Sequence, residues 1–208
     1  HHRYGVHKIF GIQYGFRGFI PEYGHPFVDL TPQRVANIHQ FGGTILGSSR
    51  GQQDVGKIVD CLERHNINIL FTIGGDGTLR GALAIQREVE ERGLKIVVAG
   101  VPKTIDNDIN LIEKTFGFET SFTVASPIIR DAHNEAIGVY NGIAIVKLMG
   151  RDSGFIAANA ALSMPEVNLV LVPELAFDLE GENGLYAVVK ARLQERKHCL
   201  IVVAEGAG

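Results

Sequence analysis

The chain has 208 residues, of which 45% are hydrophobic and 21% charged, and its formal net charge at pH 7 is −3. This composition indicates a globular chain with one sizeable core and excludes a disordered one. The sequence has neither a stripe of lysine and arginine, which argues against a nucleic-acid partner, nor an apolar run near the ~18 residues of a membrane span, which argues against a membrane protein.

Strand patterns and helix patterns alternate along the chain. The apolar runs that predict strands cover residues 7–15, 67–75, 95–101, 142–150, 167–174 and 198–206. The patterns that predict helices cover residues 54–66, 78–93, roughly 119–137, 152–164 and 182–197. This alternation predicts an α/β fold, a Rossmann-like three-layer sandwich in which helices cover both faces of a mostly parallel sheet.

Local signals refine several of these elements. The loop from Phe16 to Leu30 is rich in glycine, proline and aromatic residues and is interpreted as an active-site flap. The run at 67–75 is continuously apolar, which predicts a strand buried on both faces. Pro127 is expected to kink or restart its helix, and Asp152 or Ser153 to cap the helix that follows.

The two cysteines, Cys61 and Cys199, lie in a helical pattern and in an apolar run. Isolated cysteines in such settings predict reduced core residues, and a disulfide between them is the less favoured alternative. We therefore expect a cytoplasmic protein, with an organellar location left open.

The stretch "IGGDGTLRG" places a carboxylate among glycines where an apolar strand ends, and ligands bind outside the carboxyl ends of strands in open parallel sheets. Gly74 and Gly75 permit a sharp turn out of the strand, and Gly77 leaves no side chain between backbone and ligand. A helix beginning at Thr78 would offer free N–H groups to a phosphate. Asp76 would repel that phosphate unless Mg²⁺ lay between them. The stretch predicts a metal-assisted phosphate site, and an aspartate cap on an ordinary turn is the alternative.

The stretch "PKTIDNDI" follows the next predicted strand, with Pro102 expected to fix the turn. Thr104, Asp106 and Asp108 stand at alternate positions, so in an extended segment they would share one side. A carboxylate near a transferring phosphoryl group can accept the proton of an attacking hydroxyl. The alternative is a loop that makes ordinary Asx turns.

Three further loops carry charged residues near predicted strand ends. In "KLMGRDSG", Arg151 could pair with a substrate phosphate or carboxylate. In "VAEG", Glu205 could accept sugar hydroxyls, and in "LGSSRG", Arg50 and Gly51 could contact ATP phosphate. Each of these residues could equally be an exposed surface residue.

The motifs "GGDGT", "PKTIDND", "KLMGR", "LVPE" and "VAEG", in this order and spacing, resemble the 6-phosphofructokinase family. "GGTILGSSRG" and "GRDSGFIAA" look closest to its plant and kinetoplastid-like ATP-dependent branch. The resemblance implies a phosphofructokinase-type fold and a glycolytic, allosteric kinase. Such an enzyme transfers the γ-phosphoryl of MgATP to the 1-hydroxyl of fructose 6-phosphate. The cofactors implied are ATP and Mg²⁺, the substrate is fructose 6-phosphate, and the assembly is a homo-oligomer, either a dimer or a tetramer.

The resemblance also implies roles for individual residues. Asp106 matches the catalytic base, with Asp108 beside it, and Asp76 lies near the metal. The residues that match the ATP and Mg²⁺ site are Arg50, Gly51, Gly75, Asp76, Gly77 and Thr78. The residues that match the fructose 6-phosphate site are Thr104, Ile105, Asp106, Met149, Gly150, Arg151 and Glu205.

Two positions bear on the phosphoryl donor. Gly77 is the ATP-type residue of the family and Lys103 the pyrophosphate-type residue. An aspartate at position 77 would crowd the α-phosphate region, which glycine leaves open, so ATP is favoured. A pyrophosphate-dependent phosphofructokinase is the alternative, and a non-catalytic regulatory subunit that binds phosphorylated ligands is a second. NAD and lipid kinases share "GGDGT" but lack "PKTIDND" and "MGR" at this spacing.

The resemblance finally implies that residues 1–208 are an internal part of a longer phosphofructokinase. About 1–135 would be an ATP-binding part and about 136–208 the start of a sugar phosphate-binding part, with His1 and His2 ending a native helix. Gly142 stands where bacterial relatives carry an arginine that reaches a neighbouring subunit's substrate, so that contact does not carry over.

Overall fold

The computed structural model describes residues 3–208. His1 and His2, interpreted above as the end of a native helix, lie outside the described residues. The chain divides into two compact units, of which the first runs to Ile73 and includes Gly77–Val101, and the second comprises Gly74–Asp76 and Pro102–Gly208. The division predicted near residue 135 separates an ATP-binding part from a sugar phosphate-binding part. These compact units do not test where each ligand binds, so the division stays a prediction.

The first unit holds two helices of ten or more residues against short strands. Its elements are β1 (Phe10–Gly11), β2 (Val28–Asp29), α1 (Pro32–Val35), α2 (Val55–Arg64), β3 (Ile69–Gly74), α3 (Asp76–Glu91) and the start of β4 (Val97–Thr104). β1 pairs with β2 in antiparallel fashion, so the strand predicted over 7–15 is reduced to two residues of a small ribbon. Asp54 caps α2 by accepting the N–H of Lys57 at 3.0 Å.

The segment interpreted as a flap is packed into the first unit. Residues Gly15–Phe19 and Pro21–Tyr23 form 3₁₀ helices. Phe19 and Ile20 are buried with residues of α2 and α3. The centre of the segment is therefore packed against these helices, and its role as an active-site flap stays a prediction.

β3 is buried on one face only. Leu70 and Thr72 point into the unit, whereas Ile69, Phe71 and Ile73 are each more than half exposed. The prediction of a strand buried on both faces is therefore wrong for the described structure. The buried face packs on apolar residues of α2 and α3.

The second unit is built on parallel strands. After the end of β4 come β5 (Phe116–Gly117), α4 (Phe118–Gly138), β6 (Gly142–Leu148), α5 (Phe155–Leu162), β7 (Leu169–Leu171), α6 (Leu185–Arg196) and β8 (His198–Ala204). β8 lies between β6 and β7 and pairs in parallel with both, and the end of β4 pairs in parallel with β5. The α/β fold with parallel strands is thus confirmed, although the parallel strands form separate small sheets.

The core of the second unit lies between this sheet and helices α4 and α5. Leu200 and Val202 of β8 are fully buried against Ile129 of α4 and Ala157 of α5. α4 continues through Pro127, so the predicted restart of that helix is wrong. Cys61 and Cys199 are both buried and free, as expected. Across residues 3–208 the helices are all too short or too polar to cross a membrane.

Candidate active site

The glycine-rich turn joins β3 to α3 without an intervening loop. α3 begins at Asp76, two positions before the predicted start at Thr78, so the carboxylate belongs to the first turn of the helix. A side chain at Gly75 would come within 3.6 Å of Thr104 Cβ, whereas one at Gly77 would meet no atom within 4 Å. Position 77 is thus open on the surface, at the helix end where backbone N–H groups lack partners within the helix.

The segment after β4 begins as strand. β4 continues through Pro102 to Thr104, so the turn predicted at Pro102 is wrong. Lys103 pairs with Phe116 and Thr104 with Gly117 of β5. Pro102 precedes the first of these paired positions. Lys103 is exposed on the strand.

Asp106 lies two residues after the end of β4 and is only 8% exposed. The Thr104 hydroxyl donates to Asp106 Oδ2 at 3.2 Å, and it accepts the Asp106 N–H at 3.2 Å. Asn107 adopts a left-handed conformation with φ 55°, so the extended run ends before it. The predicted alternation therefore brings Thr104 and Asp106 together but does not continue as extended chain to Asp108.

The amide of Asn107 closes the loop that carries the base. Asn107 Oδ1 accepts the Thr115 N–H at 2.8 Å, and Asn107 Nδ2 donates to Glu113 O at 3.1 Å. The Thr115 hydroxyl lies 2.8 Å from Thr104 O and 3.1 Å from Asn107 Oδ1. Asn107 and Thr115 are both buried, so these bonds define the loop around Asp106. Sequence reasoning missed both residues.

The turn after β6 presents Arg151. Gly150 has φ 148° and Arg151 φ 54°, and the Ser153 N–H donates to Gly150 O at 3.0 Å to close the turn. Arg151 Nη1 lies 3.7 Å from Asp108 Oδ2. The Arg151 side chain is 63% exposed, so it is accessible to a ligand. Met149, beside it, is also exposed.

The end of β8 lies against the same turn. The Glu205 N–H donates to Leu148 O at 2.9 Å, which continues the β6–β8 pairing past Ala204. A side chain at Gly206 would come within 2.3 Å of Arg151 O, so the glycine permits this close approach. Glu205 itself is exposed. "KLMGR" and "VAEG" are thus neighbours, as their places at parallel strand ends predicted.

The predicted caps of α5 are wrong. The N-cap is Gly154, and no side chain caps the helix there. The N–H of Gly154 donates to Oε1 of Glu174, in "LVPE", at 2.8 Å. Ser153 is buried, and its hydroxyl lies 2.9 Å from Asp106 O. The Ser153 hydroxyl therefore bonds to the loop of Asp106 and does not cap α5.

The electrostatic surroundings of Asp106 combine burial with neighbouring charges. Burial raises the pKa of the Asp106 carboxyl above its ordinary value, while the Thr104 hydrogen bond lowers it. Asp108 and Glu205 raise the pKa further, and Arg151 lowers it. The net result is a raised pKa, so the Asp106 carboxylate is a stronger base than that of an exposed aspartate.

The remaining predicted residues lie around these turns or elsewhere in the chain. Ile105 is half-buried, and its Cγ2 would lie 3.5 Å from a side chain at Gly117. Thr78 is half-buried in the first turn of α3. Arg50 and Gly51 lie in an exposed loop before α2, with Gly51 at φ 99°. Their contact with ATP stays a prediction.

Comparison with known proteins identifies the family. The phosphofructokinase family profile matches residues 1–208. The chain belongs to the phosphofructokinase family. This membership confirms the resemblance drawn from the five motifs.

Named relatives within the phosphofructokinase family are about half identical to this chain. The ATP-dependent 6-phosphofructokinase of Borreliella burgdorferi is 53% identical over 211 residues, which cover 99% of this chain and 47% of that protein. ATP-dependent 6-phosphofructokinase 4, chloroplastic, of Arabidopsis thaliana is 51% identical over 99% of this chain and 38% of that protein. The ATP-dependent 6-phosphofructokinase of Trypanosoma cruzi is 47% identical over 99% of this chain and 42% of that protein. The chain spans about half the length of the curated relatives it matches, or less.

Solved phosphofructokinase structures share the fold. The pyrophosphate-dependent phosphofructokinase of Nitrosospira multiformis superposes with a TM-score of 0.81 at 24% identity, over 97% of this chain and 53% of that one. The T-state phosphofructokinase of Pichia pastoris gives a TM-score of 0.80 at 23% identity, over 99% of this chain and 23% of that one. At these identities the likeness concerns the fold alone.

Proposed function

We propose that the protein transfers the γ-phosphoryl of MgATP to the 1-hydroxyl of fructose 6-phosphate, giving fructose 1,6-bisphosphate. The observation that carries the proposal is the buried Asp106 carboxyl, held by Thr104 and influenced by the charges of Arg151 and Glu205. The names of the relatives, which are ATP-dependent 6-phosphofructokinases, support the same activity.

Asp106 acts as the general base. Its carboxylate takes the proton of the 1-hydroxyl as the hydroxyl oxygen attacks the γ-phosphorus and the bond to the leaving ADP breaks. Burial raises the pKa of Asp106, so its carboxylate is a better proton acceptor than an exposed one. The hydrogen bond from Thr104 keeps that carboxylate oriented.

The sugar phosphate is bound by residues of the neighbouring turns. Arg151 has an exposed guanidinium on a tightly constrained turn, which suits a phosphate or a sugar oxygen. Glu205, at the end of the adjacent strand, can accept sugar hydroxyls. The other residues that we assign to fructose 6-phosphate are Thr104, Ile105, Met149 and Gly150.

Asp76 is the residue that would hold Mg²⁺. Among residues 3–208, no three histidine, cysteine, aspartate or glutamate side chains cluster as a ready-made metal site. A single carboxylate at a helix N-terminus nonetheless fits Mg²⁺, which commonly takes one or two carboxylates and fills its remaining positions with water and substrate phosphates. When bound, the ion would neutralise charge on the transferred phosphoryl group.

The donor is ATP. Gly77 leaves open space at the start of α3, and helix N–H groups there favour a phosphate. We assign Gly77 to the ATP site, together with Gly75, Thr78, Arg50 and Gly51. Lys103 keeps pyrophosphate as the second candidate donor, since it is the pyrophosphate-type residue of the resemblance.

Three wider expectations rest on the family resemblance. We assign about 1–135 to an ATP-binding part and about 136–208 to the start of a sugar phosphate-binding part. We further propose a homo-oligomer and a cytoplasmic location.

The test is an assay of the purified full-length protein with fructose 6-phosphate and Mg²⁺, supplied with ATP or with pyrophosphate. Formation of fructose 1,6-bisphosphate is followed by ³¹P NMR. We expect product with ATP and at least tenfold less with pyrophosphate. Product with pyrophosphate alone would favour the other donor. Binding of both ligands without turnover would favour a regulatory subunit.

A further inference from the structure

The Ser153 hydroxyl connects two turns that are distant in the sequence. It lies 2.9 Å from the carbonyl oxygen of Asp106, 47 residues earlier, and 3.1 Å from that of Gly150. The Gly150 oxygen already accepts the Ser153 N–H at 3.0 Å. The hydroxyl hydrogen is therefore available to the Asp106 carbonyl. Ser153 is 7% exposed, so water competes little for these bonds.

The two turns need such a connection because their own backbones are unusual. Asn107, directly after Asp106, has φ 55°, and Arg151 has φ 54°. Non-glycine residues in this region are disfavoured and persist where the surrounding structure holds them. The Arg151–Asp108 ion pair at 3.7 Å also joins the two turns. The Arg151 guanidinium is largely exposed, so solvent screens the attraction between the two charges.

We propose that Ser153 is a positioning residue for phosphoryl transfer: its hydroxyl holds the Asp106 turn at a fixed place relative to the Arg151 turn. The proposal rests on the proposed function, in which Asp106 takes the proton and Arg151 binds the sugar phosphate. Ser153 contacts the backbone of the base residue rather than any substrate atom. It acts on the distance between the proton acceptor and the bound sugar.

The expected effect follows from how strongly transfer depends on geometry. A misplacement of about 1 Å can cost ~10²-fold in rate. Removing the hydroxyl leaves the Asp106 carbonyl without this donor and loosens the turn. Looser packing admits water to the Asp106 carboxyl, and since burial is the main cause of its raised pKa, that pKa should fall toward its ordinary value. The charges of Asp108, Arg151 and Glu205 act on the same carboxyl and stay in place in the variant.

The experiment compares Ser153→Ala and Ser153→Thr with the matched control Ser126→Ala. Ser126 also donates its hydroxyl to a backbone carbonyl, that of Phe122 at 2.9 Å, but within α4. We expect Ser153→Ala to lower kcat about 10–100-fold and to move the acid limb of the kcat–pH profile to lower pH. Ser153→Thr, which keeps a hydroxyl, should restore both, and the control should match the unaltered protein.

The pH limb distinguishes positioning from damage. A smaller fraction of folded molecules lowers kcat at every pH but leaves the limb where it is. A native kcat in Ser153→Ala, or a loss of kcat without a moved limb, would overturn the proposal. Should Ser153→Ala fail to fold, Ser153→Cys replaces it, and the weak S–H donor should give a kcat between those of the alanine and threonine variants. A native or fully lost kcat in that variant would count against the proposal.

A second readout separates this proposal from the proposed function. The pKa of the Asp106 carboxyl is measured by ¹³C NMR in the unaltered protein and in Ser153→Ala, with no substrate present. Absence of fructose 6-phosphate kinase activity in the unaltered protein would refute the function alone. An unchanged Asp106 pKa in a folded Ser153→Ala would refute the role of Ser153 alone.

Discussion

Thr104 and Asp106 share two hydrogen bonds through a single hydroxyl, which donates to Asp106 Oδ2 and accepts the Asp106 N–H, both at 3.2 Å. The first bond favours the ionised carboxylate and opposes the effect of burial on the Asp106 pKa. Burial therefore raises the pKa of the proposed base, and the hydrogen bond from Thr104, two residues earlier, partly offsets that rise.

Thr104→Val tests that balance, because valine has nearly the shape of threonine but no hydroxyl. Loss of the bond should raise the Asp106 pKa further, so the base stays protonated to higher pH and the acid limb of the kcat–pH profile moves upward. Thr123→Val removes a comparable hydroxyl bond at 2.7 Å within α4 and serves as the control. A limb that moves downward, or equally in both variants, would contradict the role given to Thr104.

Asp106→Asn tests the base directly. The amide keeps the size of the carboxylate but cannot accept the proton, so kcat should fall by about 10²–10⁴-fold. MgATP binding, measured by calorimetry, should be unchanged because Asp106 is assigned to the sugar side of the reaction. A variant with near-native kcat would falsify the assignment of Asp106.

Gly77→Asp tests the choice of donor. The open space at position 77 admits the side chain without a clash, so the fold should survive. The added carboxylate should repel ATP phosphates, and activity with ATP should be lost. Because Lys103 is already present, we expect pyrophosphate activity to rise.

The matched control for that substitution is Gly77→Ala, which occupies the same open position without charge. It should keep ATP activity within about a factor of three, since an added Cβ meets no neighbour. Equal ATP activity in the aspartate and alanine variants would show that position 77 does not face the nucleotide.

Gly142→Ala tests a packing constraint at the start of β6. A Cβ there would come within 2.2 Å of Ala136 O, a backbone atom of α4. The substitution should lower the free energy of unfolding by about 1–3 kcal/mol, the usual range for overpacking. Urea unfolding measures the change. Gly138→Ala is the control, because a Cβ at Gly138 meets nothing within 4 Å and that variant should unfold like the unaltered protein.

This constraint also bears on the arginine that bacterial relatives were expected to carry at this position. With the backbone as it stands here, no side chain enters at Gly142 unless the end of α4 moves. The glycine is therefore required by the local packing of this chain.

The sequence was sufficient to predict α2 to α6 and the strands β3, β4, β6, β7 and β8, because apolar spacing and strand length are local properties. The two-residue strand β5 was not predicted. It was also sufficient to place Asp106, Arg151 and Glu205 at strand ends, and the parallel β6–β8 pairing brings the last two of these together. These predictions depend on periodicity and on the rule that parallel strands end at one edge.

Features set by distant contacts were not predictable in this way. A continuous apolar run does not reveal that Ile69, Phe71 and Ile73 face outward. The serine in "GRDSG" is a residue type that often caps helices. Nothing in the nearby sequence indicates that its hydroxyl instead lies against the carbonyl of Asp106. The carboxylate that accepts the N–H of Gly154, the N-cap of α5, likewise comes from Glu174, 20 residues away.

The two buried thiols have a practical consequence. Cys61 lies in α2 of the first unit and Cys199 in β8 of the second, and burial raises the pKa of both. Only the thiolate reacts with alkylating reagents, so each cysteine is labelled when its surroundings open. The sequence has two cysteines, one in each unit. The labelling rate at each cysteine, measured by mass spectrometry, therefore reports how often the surroundings of that cysteine open. Residues 1–208 thus carry their own pair of probes for local unfolding, with no substitution required.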